Sequence, residues 1–421
     1  MYIVLSRGGR PFESTLKITP KGSAAPTFDP RDSSLFASGA RDGVFARLRE
    51  CDSLAVDSKG PVPIYSLVRY GDVERAYKEP DVFSPCAGLT LDSFDPKQCE
   101  TPSGMLETAP PGRHRALKTA MQGAFRGSAL VALRQEIDER LERFPESAAD
   151  GAPVEFVAAF AREAATASMS TLLGLSAAEA TRLAPALEAI AGIDFGESPG
   201  SVTYRQKTEF RLLRELTRVV RAHRQAERAG GGLIDLLLEA DVEEEPLSEH
   251  EVALNCFNVA VAGTGASQHT LAGAAAVWAE HPALADAAGD PKLARRVVDE
   301  TLRWLTPVIH LTRILTTEVE IAGQRLPKGA GVCLWNISAN RDEQVFGDAA
   351  AFKPDRPPGR SLAFGAGPQY CLGAEVVRLQ LDALLTAMAR AGARFELAEP
   401  PVWTRSNAIA GVESLRLRLR R

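Results

Sequence analysis

Phe364-Gly365-Ala366-Gly367-Pro368-Gln369-Tyr370-Cys371-Leu372-Gly373 is the most informative stretch of this 421-residue chain. Two glycines and a proline stand ahead of a cysteine that opens an Ala/Leu-rich run. The spacing predicts a tight loop that presents sulfur at the amino terminus of a helix from Cys371 to about Arg390. Unpaired backbone N–H groups and the positive end of the helix dipole favour a thiolate there. Gly373 has no Cβ, so a flat ligand can approach the backbone closely. The plain alternative is a buried, inert cysteine in a Gly-rich turn.

The rest of the composition is ordinary for a globular protein: 45% apolar, 24% charged, and a formal charge of −5 from 49 Lys+Arg against 54 Asp+Glu. Nothing in that balance attracts nucleic acid. Six cysteines without a CxxC are too sparse for a disulfide scaffold, so reduced thiols and a cytoplasmic location are expected. Met1 to Leu5 is too short an apolar run for a secretory signal. Val252 to Trp278 is interrupted by Asn255, Asn258, Ser267, Gln268 and His269, and reads as a core helix rather than a membrane span.

Upstream, the first hundred residues are rich in Pro, Gly, Asp and Ser, with a strand-like run at Pro63 to Val68. From Ala116 to about Arg303 the pattern is helical, and Leu305 to Val332 reads as short strands with turns at Ala322-Gly323 and Pro327-Lys328-Gly329. Ser414 to Arg420 alternates with period two, as a strand with one wet face does. The expected fold is mainly α with small β-sheets drawn from both ends, in a single domain over 1–421. Its β-rich lobe takes roughly 30–100, 305–335 and 400–421; its helix-rich lobe takes roughly 110–304 and 361–395.

The loop around Cys371 resembles the FGxGxxxCxG ligand loop of the cytochromes P450, the haem-thiolate monooxygenases, at Phe364, Gly365, Gly367, Cys371 and Gly373. Other landmarks follow in order over roughly residues 60–421. Glu300-Thr301-Leu302-Arg303 resembles ExxR, Asn340-Arg341-Asp342 the ANRD stretch, and Phe352 to Arg356 the segment whose arginine completes a buried network with Glu300 and Arg303. His114 and Lys118 resemble the HxxxR pair that holds a haem propionate, and Arg313 sits where another propionate partner is placed. The resemblance implies haem b between the Cys-ligand segment and a long central helix, Cys371 being the iron ligand and the cofactor's only metal bond to the protein. Two departures are visible. Gln369 stands where many members have His or Arg, and Lys118 replaces the usual arginine, keeping charge but losing the fork.

In that family the central helix crosses the haem with A/G-G-x-D/E-T, whose acid and alcohol deliver protons during dioxygen activation. Here Ala262-Gly263-Thr264-Gly265-Ala266-Ser267 puts glycine and alanine at the acid and threonine positions. Four readings remain: substrate or ordered water supplies the hydroxyl; Ser267 or Thr270 substitutes; the oxidation is non-hydroxylating (radical coupling, ring formation or peroxide-driven chemistry); or haem is bound without turnover, as in a sensor or scaffold. His269 reads as a polar residue turned into the packing rather than a ligand.

The resemblance also places Ser84 to Phe94, Ile193 to Thr203, Val308 to Leu311 and Ala408 to Gly411 around an organic small-molecule substrate. Val308, Ile309, Leu311 and Ile409 would form an apolar wall, and His310 either orients a polar substrate group or bonds to nearby backbone. It implies ferredoxin and ferredoxin reductase as electron donors, with Arg113, Arg115, Lys118 and Arg378 as basic contacts, and a monomer. Separately, Lys207, Arg211, Arg214, Arg218 and Arg221 share one stripe of a helix, with Phe210, Leu213, Leu216, Val219 and Val220 expected on its buried side. The stripe is either a solvated face or a seat for an anionic partner, such as an acidic carrier protein bearing the substrate.

Overall fold

A computed structural model describes residues 28–37, 39–101, 103–147, 151–191, 199–226, 231–357 and 359–420. The described residues gather into two compact units. The first lies within Met1–Pro102, Asp299–Cys371 and Thr404–Ala410; the second within Ser103–Val298, Leu372–Trp403 and Gly411–Arg421.

The first unit is built on a five-stranded sheet in the order Val56–Asp57, Ile64–Leu67, Gly331–Leu334, Leu311–Leu315, Phe83–Ser84. Gly331–Leu334 runs parallel to Ile64–Leu67, and the other pairs are antiparallel. The expected turn at Ala322-Gly323 joins Val319–Ile321 to Gln324–Leu326. Under the sheet Trp335, fully buried, is ringed by Phe28, Phe36 and Phe45 at 5.1–5.5 Å between centroids.

Helices dominate the second unit. Its central helix, Glu249–Ala279, begins with a capping box in which Ser248 and Glu251 satisfy each other's backbone N–H groups. It packs against the helices Arg162–Leu173, Ala177–Ala191 and Pro199–Gln225. Its Asn255 is buried with partners, accepting from the Leu106 N–H (2.9 Å) and donating to the Gly104 carbonyl (2.8 Å). Among the described residues no helix is long and apolar enough to cross a membrane. The period-two tail forms Arg416–Arg420, paired between Arg394–Leu397 and Val154–Glu155, so the carboxyl-terminal strands belong with the helices.

Two expectations are corrected. The helix after the cysteine begins at Ala374, with Gly373 as its N-cap, so Cys371 ends the loop rather than opening the helix. Cys86 and Cys99 form a disulfide, where reduced thiols were expected throughout. The two meet because the chain folds back between them: the Asp95 N–H bonds the Ala87 carbonyl at 2.7 Å and the Gly88 N–H that of Pro85 at 3.1 Å. Spacing alone carries no trace of that hairpin.

Candidate functional site

Four cysteines stand outside the disulfide. Cys51, Cys256 and Cys333 are buried, and burial pushes the Cys256 and Cys333 thiols up so that they stay neutral; Cys371 alone of the four is exposed. Its loop is shaped by Gly365 (φ 70°) and Gly367 (φ 62°), both left-handed, and by a 3-10 turn over Gly367–Gln369. At Gly367 a side chain would also come to 3.1 Å from the Cα of Lys78. The Cys371 N–H closes the loop on the Phe364 carbonyl at 2.9 Å. The sulfur thus precedes the first turn of Ala374–Arg390, whose leading N–H groups have no intrahelical acceptor.

A buried ion network underlies that loop. Arg303, 2% exposed, donates through Nε and Nη2 to Glu300 (2.7 and 2.8 Å) and to the carbonyls of Asn340 (2.7 Å), Ala349 (2.9 Å) and Ala351 (3.0 Å). Arg356 joins it through Glu300 at 3.1 Å, and Glu300 also accepts from the Lys353 N–H at 2.7 Å. Asn340 carries the order onward: its amide donates to Thr306 Oγ1 (2.9 Å) while its Oδ1 accepts from the Leu362 N–H (2.7 Å). The Leu362 carbonyl then receives the Gly365 N–H at 3.0 Å. Glu300, Arg303 and Arg356 are thus hydrogen-bonded together, and the Asn340 side chain links their network to the segment that leads into the cysteine loop.

Arg313 is 2% exposed, lies over the Tyr77 ring (5.6 Å) and donates to Gln369 Oε1 at 2.7 Å. This bond fixes the Gln369 amide with oxygen inward, leaving its NH2 group to donate outward. His114 and Lys118 occupy successive turns of the helix Pro111–Met121, the first buried and the second half-buried.

Along the central helix, Ala262 is exposed and Ala266 half-buried, one turn apart on one face, while Thr264, Gly265 and Ser267 to Thr270 are buried. A Cβ added at Gly265 would meet nothing within 4 Å. At Gly263 it would come to 2.4 Å from Met169 Sδ, so this glycine packs closely against the helix Arg162–Leu173. Thr270 donates its hydroxyl proton to the Ala266 carbonyl at 2.6 Å, one turn back. His269 turns into the packing, its Nδ1 3.3 Å from the Val412 carbonyl and its ring against Gly411.

Among the expected pocket residues, Val308 and Ile409 form a β-bridge and are half-buried. Ile309 is fully buried within the cluster around Trp335 and is a core residue. His310 is likewise fully buried: Nε2 accepts from the Leu91 N–H (3.0 Å) and Nδ1 donates to the Asn407 carbonyl (2.9 Å). Both ring nitrogens are spent on backbone, so His310 offers a substrate nothing. It pins the loop at Leu91 to the 406–409 turn, and burial lowers its pKa to about 4. Residues 193–198 of the expected segment Ile193–Thr203 lie outside the described residues. Of the expected donor contacts, Arg113 is paired with Glu243 (3.0 Å) and Glu251, and Arg378 with Glu375 (2.8 Å).

An exposed thiol ahead of a helix, with the buried Arg313 guanidinium bonded to Gln369 two residues before it, suits a large, flat, anionic cofactor held by one sulfur. The family model for cytochrome P450 matches residues 202–401. Cyclomarin C epoxidase CymV of Salinispora arenicola (strain CNS-205) is 30% identical over 85% of this chain and 91% of its own length. The methyl-branched lipid omega-hydroxylase of Mycobacterium tuberculosis (strain H37Rv) is 26% identical over 89% and 90%. Among solved structures, P450 OxyD, involved in the biosynthesis of vancomycin-type antibiotics, superposes with a TM-score of 0.82 at 24% identity, covering 93% of this chain and 99% of that one.

Proposed function

The chain belongs to the cytochrome P450 family, and from that premise we propose that it hydroxylates or epoxidises an organic small molecule of secondary metabolism. Bound to Cys371, haem b supplies dioxygen activation, drawing electrons from an external donor. The chain's own residues hold and insulate. Cys371 gives the thiolate, and Arg313 with Gln369, and His114 with Lys118, are the groups we assign to the propionates. Glu300, Arg303 and Arg356 keep the ligand loop in register.

Proton delivery is where this chain departs from its family. Gly265 and Ala266 carry no acid and no alcohol, and the Thr270 proton is already given to the Ala266 carbonyl. We therefore assign the relay to a substrate hydroxyl or to water ordered against the open position at Gly265. That open position is the observation that carries the reading. Ferredoxin with its reductase is the electron source we infer, and the cytoplasm, where such donors are regenerated, the compartment.

The test is reconstitution with ferredoxin, ferredoxin reductase and NADPH across a library of polycyclic and peptide-like compounds under labelled dioxygen. A product carrying one labelled oxygen atom is expected. Substrate-dependent product without label would establish a coupling or ring-forming oxidation instead, and no substrate-dependent reductant consumption would leave a haem-binding protein without catalysis. Cys371→Ser must abolish the thiolate-type Soret band of the reduced carbon-monoxide complex.

A further inference from the structure

The helix Pro199–Gln225 buries Leu212, Leu216, Val219 and Val220 completely, yet its opposite face is unlike an ordinary wet surface. Lys207, Arg211, Arg214, Arg218 and Arg221 are all exposed, and they recur at intervals of four, three, four and three residues. That mean step of 3.5 keeps the charges in a nearly straight seam of about 21 Å along the axis. It is the repeat with which a second helix can lie alongside at a shallow angle.

Two further features distinguish this seam. Phe210, expected on the buried side, is 68% exposed beside Arg211, and Tyr204, one turn before Lys207, is 56% exposed. Large aromatic rings left in water among cations suit the anchors of a docking surface, where aromatic and arginine side chains concentrate the binding energy. Charge neutralisation is also uneven. Glu215 takes Arg218 (2.7 Å) and Arg214 (3.6 Å), and Glu249 takes Arg221 (3.3 Å), whereas Lys207 and Arg211 make no ion pair among the described residues. Unneutralised cations and exposed rings therefore coincide at the Tyr204–Arg211 end.

We propose that this face docks an acidic helix of a carrier protein that presents the substrate to the enzyme, an inference that rests on reading the chain as a small-molecule oxygenase. Carboxylates at the same three-and-four spacing would pair along the seam, Arg forks binding them in two-pronged fashion. An apolar residue of the partner would cover Phe210. A membrane surface fits less well, since the helix spends its continuous apolar face on the protein's interior and offers only two rings outward.

The experiment uses the haem-loaded full chain and three probes: holo acyl and holo peptidyl carrier proteins, vesicles of phosphatidylglycerol and phosphatidylcholine, and reduced ferredoxin. Saturable binding of a carrier protein is expected, weakening steeply with salt. The triple variant R211E/R214E/R218E should weaken it by about tenfold or more, and F210A should weaken it at low and high salt alike. R211K/R214K/R218K, which keeps the charge and loses the forks, should weaken it less than the reversal, and the control R325E/K328E on another exposed turn should retain it. The rate of reduction by ferredoxin and the carbon-monoxide spectrum should not change in any of these. Absence of carrier binding, carrier binding indifferent to the triple reversal, vesicle binding that the triple reversal abolishes, or a matching loss of ferredoxin reduction would each overturn the proposal. Failure of the oxygenase reading would appear separately, as a chain that binds the carrier but oxidises nothing.

Discussion

Replacing Arg303 by lysine keeps the charge and removes the fork, and the structure says what that costs. The guanidinium sends every N–H it has to a protein oxygen: two to Glu300 and one each to the carbonyls of Asn340, Ala349 and Ala351. An ammonium has three N–H groups, so at least two of these five bonds are lost at a site only 2% exposed, although Arg356 still serves Glu300 Oε1 and the Ala351 carbonyl. A hydrogen bond to a charged group contributes about 1.5–3 kcal/mol, which puts R303K at about 3–6 kcal/mol. Against a whole-domain stability of about 5–15 kcal/mol, that loss is severe. It also has an address. The Asn340 side chain holds Leu362, which holds Gly365, so the Cys371 loop should loosen before the helices melt. Thermal unfolding of the haem-loaded variant, followed at once by far-ultraviolet circular dichroism and by Soret absorption, separates the two. Both midpoints should fall, the Soret midpoint by more. Equal midpoints in R303K and wild type, with the thiolate Soret band intact, would show that the number of donors at Arg303 does not hold the loop.

Restoring the family's relay with G265E/A266T tests the missing proton path. If substrate supplies the hydroxyl, turnover and coupling of reductant to product should both fall, because the new side chains fill the space it needs; improved coupling would mean the path was merely defective. G411A should cost about 1–3 kcal/mol by overpacking, since its Cβ would lie 2.3 Å from the His269 ring, and a melting temperature unchanged from wild type would contradict that packing. Burial lowers the pKa values of His269 and His310 from 6.5 to about 4, and the unfolded chain therefore binds protons that the fold refuses between those values. Stability should drop as pH falls from about 6.5 to about 4, by up to about 3 kcal/mol for each histidine. H310Q should show a shallower dependence of melting temperature on pH; an unaltered slope would mean that His310 titrates normally in the fold.

What could be read from the sequence was whatever local chemistry determines. A left-handed glycine pair, a turn and a cysteine before a helix are adjacent in the chain, so the loop at Cys371 was legible residue by residue, and so was the Glu300–Arg303 pair, whose partners lie one turn apart. Illegible were the properties set by what a residue meets from elsewhere. Gly263 matched the family's haem-crossing helix, but its close approach to Met169, 94 residues distant, could be seen only in the fold. His310 was equally compatible with a substrate and with backbone until Leu91 and Asn407, 219 and 97 residues distant, arrived at its two nitrogens. Cys86 and Cys99 needed the fold-back at Ala87 and Asp95 to become partners. Phe210 teaches the reverse case. Amphipathic spacing assigns it inward by hydrophobicity, yet its angular position lies between Lys207 and Arg214, three residues before and four after, and away from Leu212 and Leu216, and geometry overrides composition. An apolar side chain that the helical period places among cations, and that stands exposed among the described residues, is information about a surface outside the chain. The sequence shows the same residue and the same period, but only the buried face opposite reveals which side of the helix the fold has already used.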